Sequence, residues 1–150
     1  MELIVVIIGL LIDRVTKWWA LKDLANENSI VVIPNLFSLS YLENRGAAFG
    51  VFQNKVIFLA IITTCVLAGL VYYLVKYKPK SKLLRVSFGM IICGAIGNLI
   101  DRLYYNFVVD FILVHYKEHY FPTFNVADMF VVVGTILLAY CIIKEEEAWK

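Results

Sequence analysis

Asp110 and Asp128 bracket a short polar interval between two long apolar runs. If both runs cross a membrane, the two carboxylates emerge on the same side of it. Two aspartates brought close together cannot easily both ionise, so they share one proton, one acting as base and the other as acid. Such a pair can activate water against a peptide carbonyl and then protonate the leaving amine. No other residue set competes. The serines fall in residues 29–40 and beside residues 76–85, Cys65, Cys93 and Cys141 lie inside apolar runs as small buried hydrophobes, and no glycine loop suits a phosphate. Asp128 also has a second reading, as an acid in the first helical turn, where the helix dipole stabilises it. Spacing alone leaves capping and catalysis both open.

The elements that must hold this pair follow from composition. Of 150 residues, 61% are hydrophobic and 17% charged, which indicates a membrane protein. A formal net charge of +2 gives no footprint for nucleic acid. Four stretches are long enough to span about 30 Å of hydrocarbon as helices, at residues 3–22, 56–75, 86–105 and 126–143. The first is read as a retained span: no basic residue precedes it, Asp13 and Arg14 interrupt it, and no small-residue cleavage site follows. Lys76, Lys78, Lys80, Lys82 and Arg85 place residues 76–85 in the cytoplasm, so the loops at 23–55 and 106–125 face outward with both aspartates, and both termini face inward. In the first loop, residues 29–41 are β-branched and alternating around Pro34-Asn35, which predicts a small antiparallel sheet leaning on the membrane. The expected fold is an all-α four-helix transmembrane bundle with a small extracytoplasmic β-sheet platform and a second outer loop. It forms one integral membrane domain over residues 1–150.

Within the spans, the polar residues need partners. Asp13 lies near mid-depth, with Lys17 one turn on in the favourable order for an internal pair, a direct role at the site staying open, and Arg14 is read as pointing elsewhere, to snorkel or pair. Gly94, Gly97, Asn98, Asp101 and Arg102 share one face of the third helix, where small residues admit a neighbour and the polar ones must be satisfied inside the bundle. Asp101 and Arg102 read as a structural ion pair. Asn44 and Arg45, ahead of small residues 46–48, supply fixed donors at a tight turn. His115-Tyr116-Lys117-Glu118-His119 matches the inverted zinc-peptidase pattern, but it lies in a loop rather than on a stable helix, and it is read as two solvated histidines with no metal. Residues 145–147, three glutamates, read as a solvated tail.

Taken together and in order, Asp13-Arg14-Val15-Thr16-Lys17, Asn44-Arg45-Gly46-Ala47-Ala48-Phe49, Gly94-Ala95-Ile96-Gly97-Asn98-Leu99-Ile100-Asp101-Arg102, Val109-Asp110-Phe111 and Phe124-Asn125-Val126-Ala127-Asp128 resemble the bacterial lipoprotein signal peptidases, also called signal peptidase II. The resemblance implies an aspartic endopeptidase of the bacterial cytoplasmic membrane that cuts prolipoproteins just before a diacylglyceryl-modified cysteine. It implies Asp110 and Asp128 as the catalytic dyad, at the extracytoplasmic face, with no cofactor or metal. It also implies that Asn44, Gly94, Asn98, Asp101, Arg102, Asn125 and Ala127 line or brace the site, with Asp13 and Lys17 as its first-helix motif. Expected partners are the lipidated substrates and membrane lipids, with the enzyme itself a monomer. Two positions depart from the family pattern: Arg14 stands where glutamine is usual, and Cys93 where a second glycine is common. The rivals from other classes are a small proton-coupled transporter using Asp13 or Asp101, a zinc peptidase on the histidines, and a non-catalytic scaffold.

Overall fold

The computed structural model describes residues 1–27, 29–47 and 51–144. Residues 48–50 of the Asn44 motif and the glutamates at 145–147 lie outside the described residues. Among the described residues four long helices form: α1 (Glu2–Lys22), α2 (Val56–Tyr77), α3 (Lys82–Tyr105) and α4 (Val126–Lys144). By length and composition, α2, α3 and α4 are apolar enough to cross a membrane. α1 is shorter on apolar character because Asp13, Arg14 and Lys17 fall near its middle.

α3 is the central helix, packed against each of the other three. It begins four residues earlier than its apolar run predicts, because the Ser81 side chain accepts the Leu84 N–H and caps it. Its burial reflects the small-residue stripe. A Cβ on Gly94 would collide with the Ala127 carbonyl oxygen of α4, and one on Gly97 would lie 2.7 Å from Asp13 Oδ2 of α1. The helices therefore approach closely at the level where the polar residues meet. Cys93 is accommodated by Gly9 of α1, whose missing Cβ leaves room for the thiol. Toward the N-terminal end of α3, Leu84, Phe88 and Cys141 form an apolar cluster with Leu70 and Leu138.

The sheet is larger than expected. β1 (Ile30–Ile33) and β2 (Phe37–Asn44) form the predicted hairpin, but β3 (Val108–Tyr116) and β4 (His119–Tyr120) extend it to four antiparallel strands in sequence order. Residues 106–125 are thus not simply a loop, and Asp110 is a strand residue. Val108, Val109, Asp110 and Phe111 are all buried, so this half of β3 lacks the alternation that marks a half-exposed strand. Ala20, near the C-terminal end of α1, and Leu24, just beyond it, pack on Val109 and Phe111 and tie the sheet to the helices.

Candidate active site

Asp110 enters the site from β3 and Asp128 from the first turn of α4. They line one groove of about 880 Å³. The reach between these elements is closed by Asn125, which is fully buried. As the residue before α4, Asn125 accepts the Asp128 N–H on its Oδ1 at 3.0 Å, while Asp128 Oδ2 accepts the Asn125 N–H at 3.1 Å. That reciprocal pair is a capping box, so the capping reading of Asp128 is correct as local structure. The Asn125 Nδ2 remains free for other work: it donates to Asp110 Oδ1 at 2.6 Å and to Asn98 Oδ1 at 3.2 Å.

Each aspartate receives a second amide. Asn44 Nδ2 donates to Asp110 Oδ2 at 2.8 Å, and Asn98 Nδ2 donates to Asp128 Oδ1 at 2.7 Å. Neither orientation is arbitrary. The Asn44 oxygen accepts the Gly46 N–H at 2.9 Å, and the Asn98 oxygen accepts from Lys17 Nζ at 2.9 Å, so both NH₂ ends are left facing the carboxylates. Four N–H donors thus converge on two carboxylates. Burial, and after it the nearby Asp128 charge, pushes the Asp110 carboxyl up to about 7, against the donors from Asn44 and Asn125.

Behind the pair lies a cluster of two acids and two bases, in which Asp13, Asp101 and Lys17 are buried and Arg14 is partly exposed. Lys17 contacts Asp13 Oδ1 at 3.2 Å and Asp101 Oδ2 at 2.8 Å. Arg14 pairs rather than snorkels, and it does not point elsewhere: it contacts Asp13 and, at 2.7 Å, Asp101. Asp101 therefore takes its cations from α1, and the ion pair read between Asp101 and its neighbour Arg102 is not the one that forms. Adjacent helical residues diverge by about 100°, and Arg102 instead lines the groove, donating to the Gly46 carbonyl at 3.3 Å. Ala127 contributes its backbone, whose N–H goes to Asp13 Oδ1 at 3.1 Å.

Every residue of the sequence-based set therefore gathers around one groove or the cluster behind it. Not singled out by residue there were Arg14 as a bridge between two acids and, in the groove wall, Phe121–Phe124 of the 106–125 segment with Met129. A non-periodic segment carries no signal for that role. The two histidines do not come together. His115 pairs across the hairpin with Tyr120, and Tyr116 with His119, so the two rings leave opposite faces of the ladder. His115 stacks on Tyr120 and lies 3.5 Å from Ser38 Oγ through Nε2.

Helices of membrane character surround a carboxylate pair in a groove, the arrangement that a membrane aspartic hydrolase requires. The profile of the family described as signal peptidase (SPase) II matches residues 5–144. The chain is 51% identical over 146 residues to the lipoprotein signal peptidase of Clostridium novyi (strain NT), covering 97% of this chain and 99% of that one. It is 54% identical over 147 residues to that of Clostridium tetani (strain Massachusetts / E88), covering 97% and 94%. A bacterial membrane enzyme solved by the in meso method at 2.3 Å superposes with a TM-score of 0.88 at 31% identity, covering 97% of this chain and 92% of that one. The chain belongs to the signal peptidase II family and is a membrane-embedded bacterial peptidase of the aspartic type.

Proposed function

We propose that this enzyme removes the signal peptide from diacylglyceryl-modified prolipoproteins, cutting just before the lipidated cysteine, with Asp110 and Asp128 sharing one proton as the catalytic dyad. The observation that carries the reading is the convergence of Asn44, Asn98 and Asn125 on these two carboxylates in one groove. The ionised aspartate takes a proton from a water molecule as the water oxygen attacks the scissile carbonyl carbon. The protonated one gives its proton to the carbonyl oxygen. Collapse of the tetrahedral diol breaks the C–N bond as a proton passes to the leaving amine, and the dyad returns to its shared-proton state. No cofactor enters this scheme.

The chain works in this reading as one four-span domain with both termini cytoplasmic and the groove at the extracytoplasmic face. α1 suits a span because its charges are neutralised inward, Asp13 and Lys17 being essentially buried, while Leu3, Ile7, Leu11, Val15 and Trp18 stay exposed as a lipid-facing surface. The sheet rests on the membrane through β1, all four of whose residues are exposed and apolar. Exposed Met129, Val132 and Val133 on α4 border the groove, which suits a signal helix and acyl chains arriving laterally through lipid to a monomeric enzyme. Among the described residues, Asp13 and Asp101 are both held by two cations, which disfavours the transporter reading.

Purified protein in detergent is expected to cleave a lipidated prolipoprotein equally well with and without a chelator. Loss of activity with chelator, or on His119→Ala alone, would point to a zinc peptidase instead. The pH profile is a second expectation. A carboxyl held up to about 7 keeps the shared proton through mildly acid pH and loses it above that value, so the alkaline limb should fall near pH 7. Steady-state rates across the pH range test this, and an alkaline limb more than about two units higher contradicts it.

A further inference from the structure

The buried cluster is wired to the dyad through the backbone. Asp13 Oδ1 accepts the N–H of Ala127, and Asp101 Oδ2 accepts the N–H of Val109, each at 3.1 Å. Ala127 directly precedes Asp128, and Val109 directly precedes Asp110. Each dyad aspartate therefore follows a residue tied to one of the two cluster carboxylates.

Those carboxylates are in turn held to one another by Arg14. Its Nη1 donates to Asp101 Oδ1 at 2.7 Å, its Nη2 and Nε donate to Asp13 Oδ2, and Nη2 also reaches the Gly97 carbonyl at 2.9 Å. Lys17 touches the same two acids through their other oxygens, and its third contact goes to Asn98. The two cations do different things. A planar guanidinium fixes the distance between its acceptors, whereas an ammonium on a flexible stem supplies a point charge with rotatable donors.

We propose that Arg14 is a positioning residue for the dyad: by spanning Asp13 and Asp101 it fixes the separation of the backbone segments that carry Asp110 and Asp128. This rests on the dyad reading given above. The charged groups around Arg14 are Asp13 and Lys17 of α1 and Asp101 of α3. Those around the dyad are Lys17, Arg102 of α3, and Glu43 of β2 in the groove wall.

The consequence is readable in the pH profile. Two carboxylates sharing a proton ionise in two steps, and the gap between the steps grows as the groups approach. Loosening their spacing narrows the bell from both sides and lowers kcat, while KM, set by the groove, stays nearly constant.

The test compares full-length Arg14→Lys and Arg14→Met with the wild type, measuring kcat and KM against pH on a lipidated prolipoprotein, together with thermal unfolding. Arg14→Lys is expected to fold, to lose on the order of tenfold to a hundredfold in kcat through misplacement of the pair, and to keep KM within about twofold. Its bell should be narrower, with the alkaline limb at lower pH. A wild-type profile in Arg14→Lys overturns the proposal, since charge alone then suffices. An unchanged profile in folded Arg14→Met overturns it too, and if that variant does not fold, Arg14→Lys decides. Asp110→Asn and Asp128→Asn are assayed alongside: if they still cleave, the dyad reading itself has failed, a result distinct from failure of the Arg14 proposal.

Discussion

Replacing either Asp110 or Asp128 with asparagine is expected to remove prolipoprotein cleavage, by on the order of 10⁴-fold or more, because asparagine can neither take nor give the shared proton. The fold should survive. Asparagine has the aspartate's shape, and the chief local loss is one hydrogen bond. Both Asp110 oxygens accept from amide nitrogens, Asn44 on one side and Asn125 on the other, so an NH₂ introduced there must face a donor. That mismatch costs about 1–3 kcal/mol.

The pH dependence of stability gives this prediction a second, independent edge. Asp110 ionises near 7 in the folded protein and near 3.8 when unfolded, so the folded state disfavours its charged form. Its contribution is fully favourable below the unfolded value and is lost as pH rises through about 7. Asp110→Asn carries no such charge. Above about pH 7 it should therefore regain stability relative to the wild type, while remaining inactive. Cleavage by both asparagine variants would falsify the dyad. A variant that is inactive because it is unfolded would be recognised by its thermal transition.

How much of this was legible in the sequence depends on the range of the interactions. The helices were legible because each is a long apolar run, and the polar face of α3 because its residues recur at helical spacing. The proposed dyad and its amides emerged from the ordered motifs. β3 was not legible. Its partner β2 lies far away in the chain, and the run from Val108 to Phe111 is buried on both faces, so alternation fails and Asp110 reads as a loop acid. The partners of Arg14 were hidden for a different reason. Side chains one residue apart on a helix diverge, which argues against a contact with Asp13. The guanidinium nonetheless returns to Asp13, because it crosses to α3 at Gly97, where the absent Cβ leaves the Asp13 carboxylate space. The same rule applied to Asp101 and Arg102 would have separated them. A backbone N–H from Val109 or Ala127 carries no sequence signal at all, so the wiring of the cluster to the dyad became visible only in three dimensions.

Lys17→Met is expected to produce the largest loss of stability among the site residues outside the dyad, and to inactivate the enzyme as well. Lys17 is 1% exposed and makes three contacts, to Asp13, Asp101 and Asn98. With Arg14 it balances two buried acids; without it, one negative charge is left over in the bundle. Breaking a buried ion pair by removing one partner typically costs about 3–5 kcal/mol, because the remaining charge is stranded. The second effect follows from Asn98. Once its oxygen loses the ammonium, only the 3.2 Å contact from Asn125 still favours the orientation that gives Asp128 its N–H. Amide rotation then presents an oxygen to a carboxylate, and the dyad loses a donor that steadies its ionised member. Lys17→Arg separates the two effects: it restores the charge balance but brings a planar fork into a site shaped for an ammonium. It should recover part of the stability and little of the activity. Thermal unfolding and cleavage rates measured on the same preparations decide the matter, and wild-type stability in Lys17→Met would show that Arg14 alone satisfies both acids.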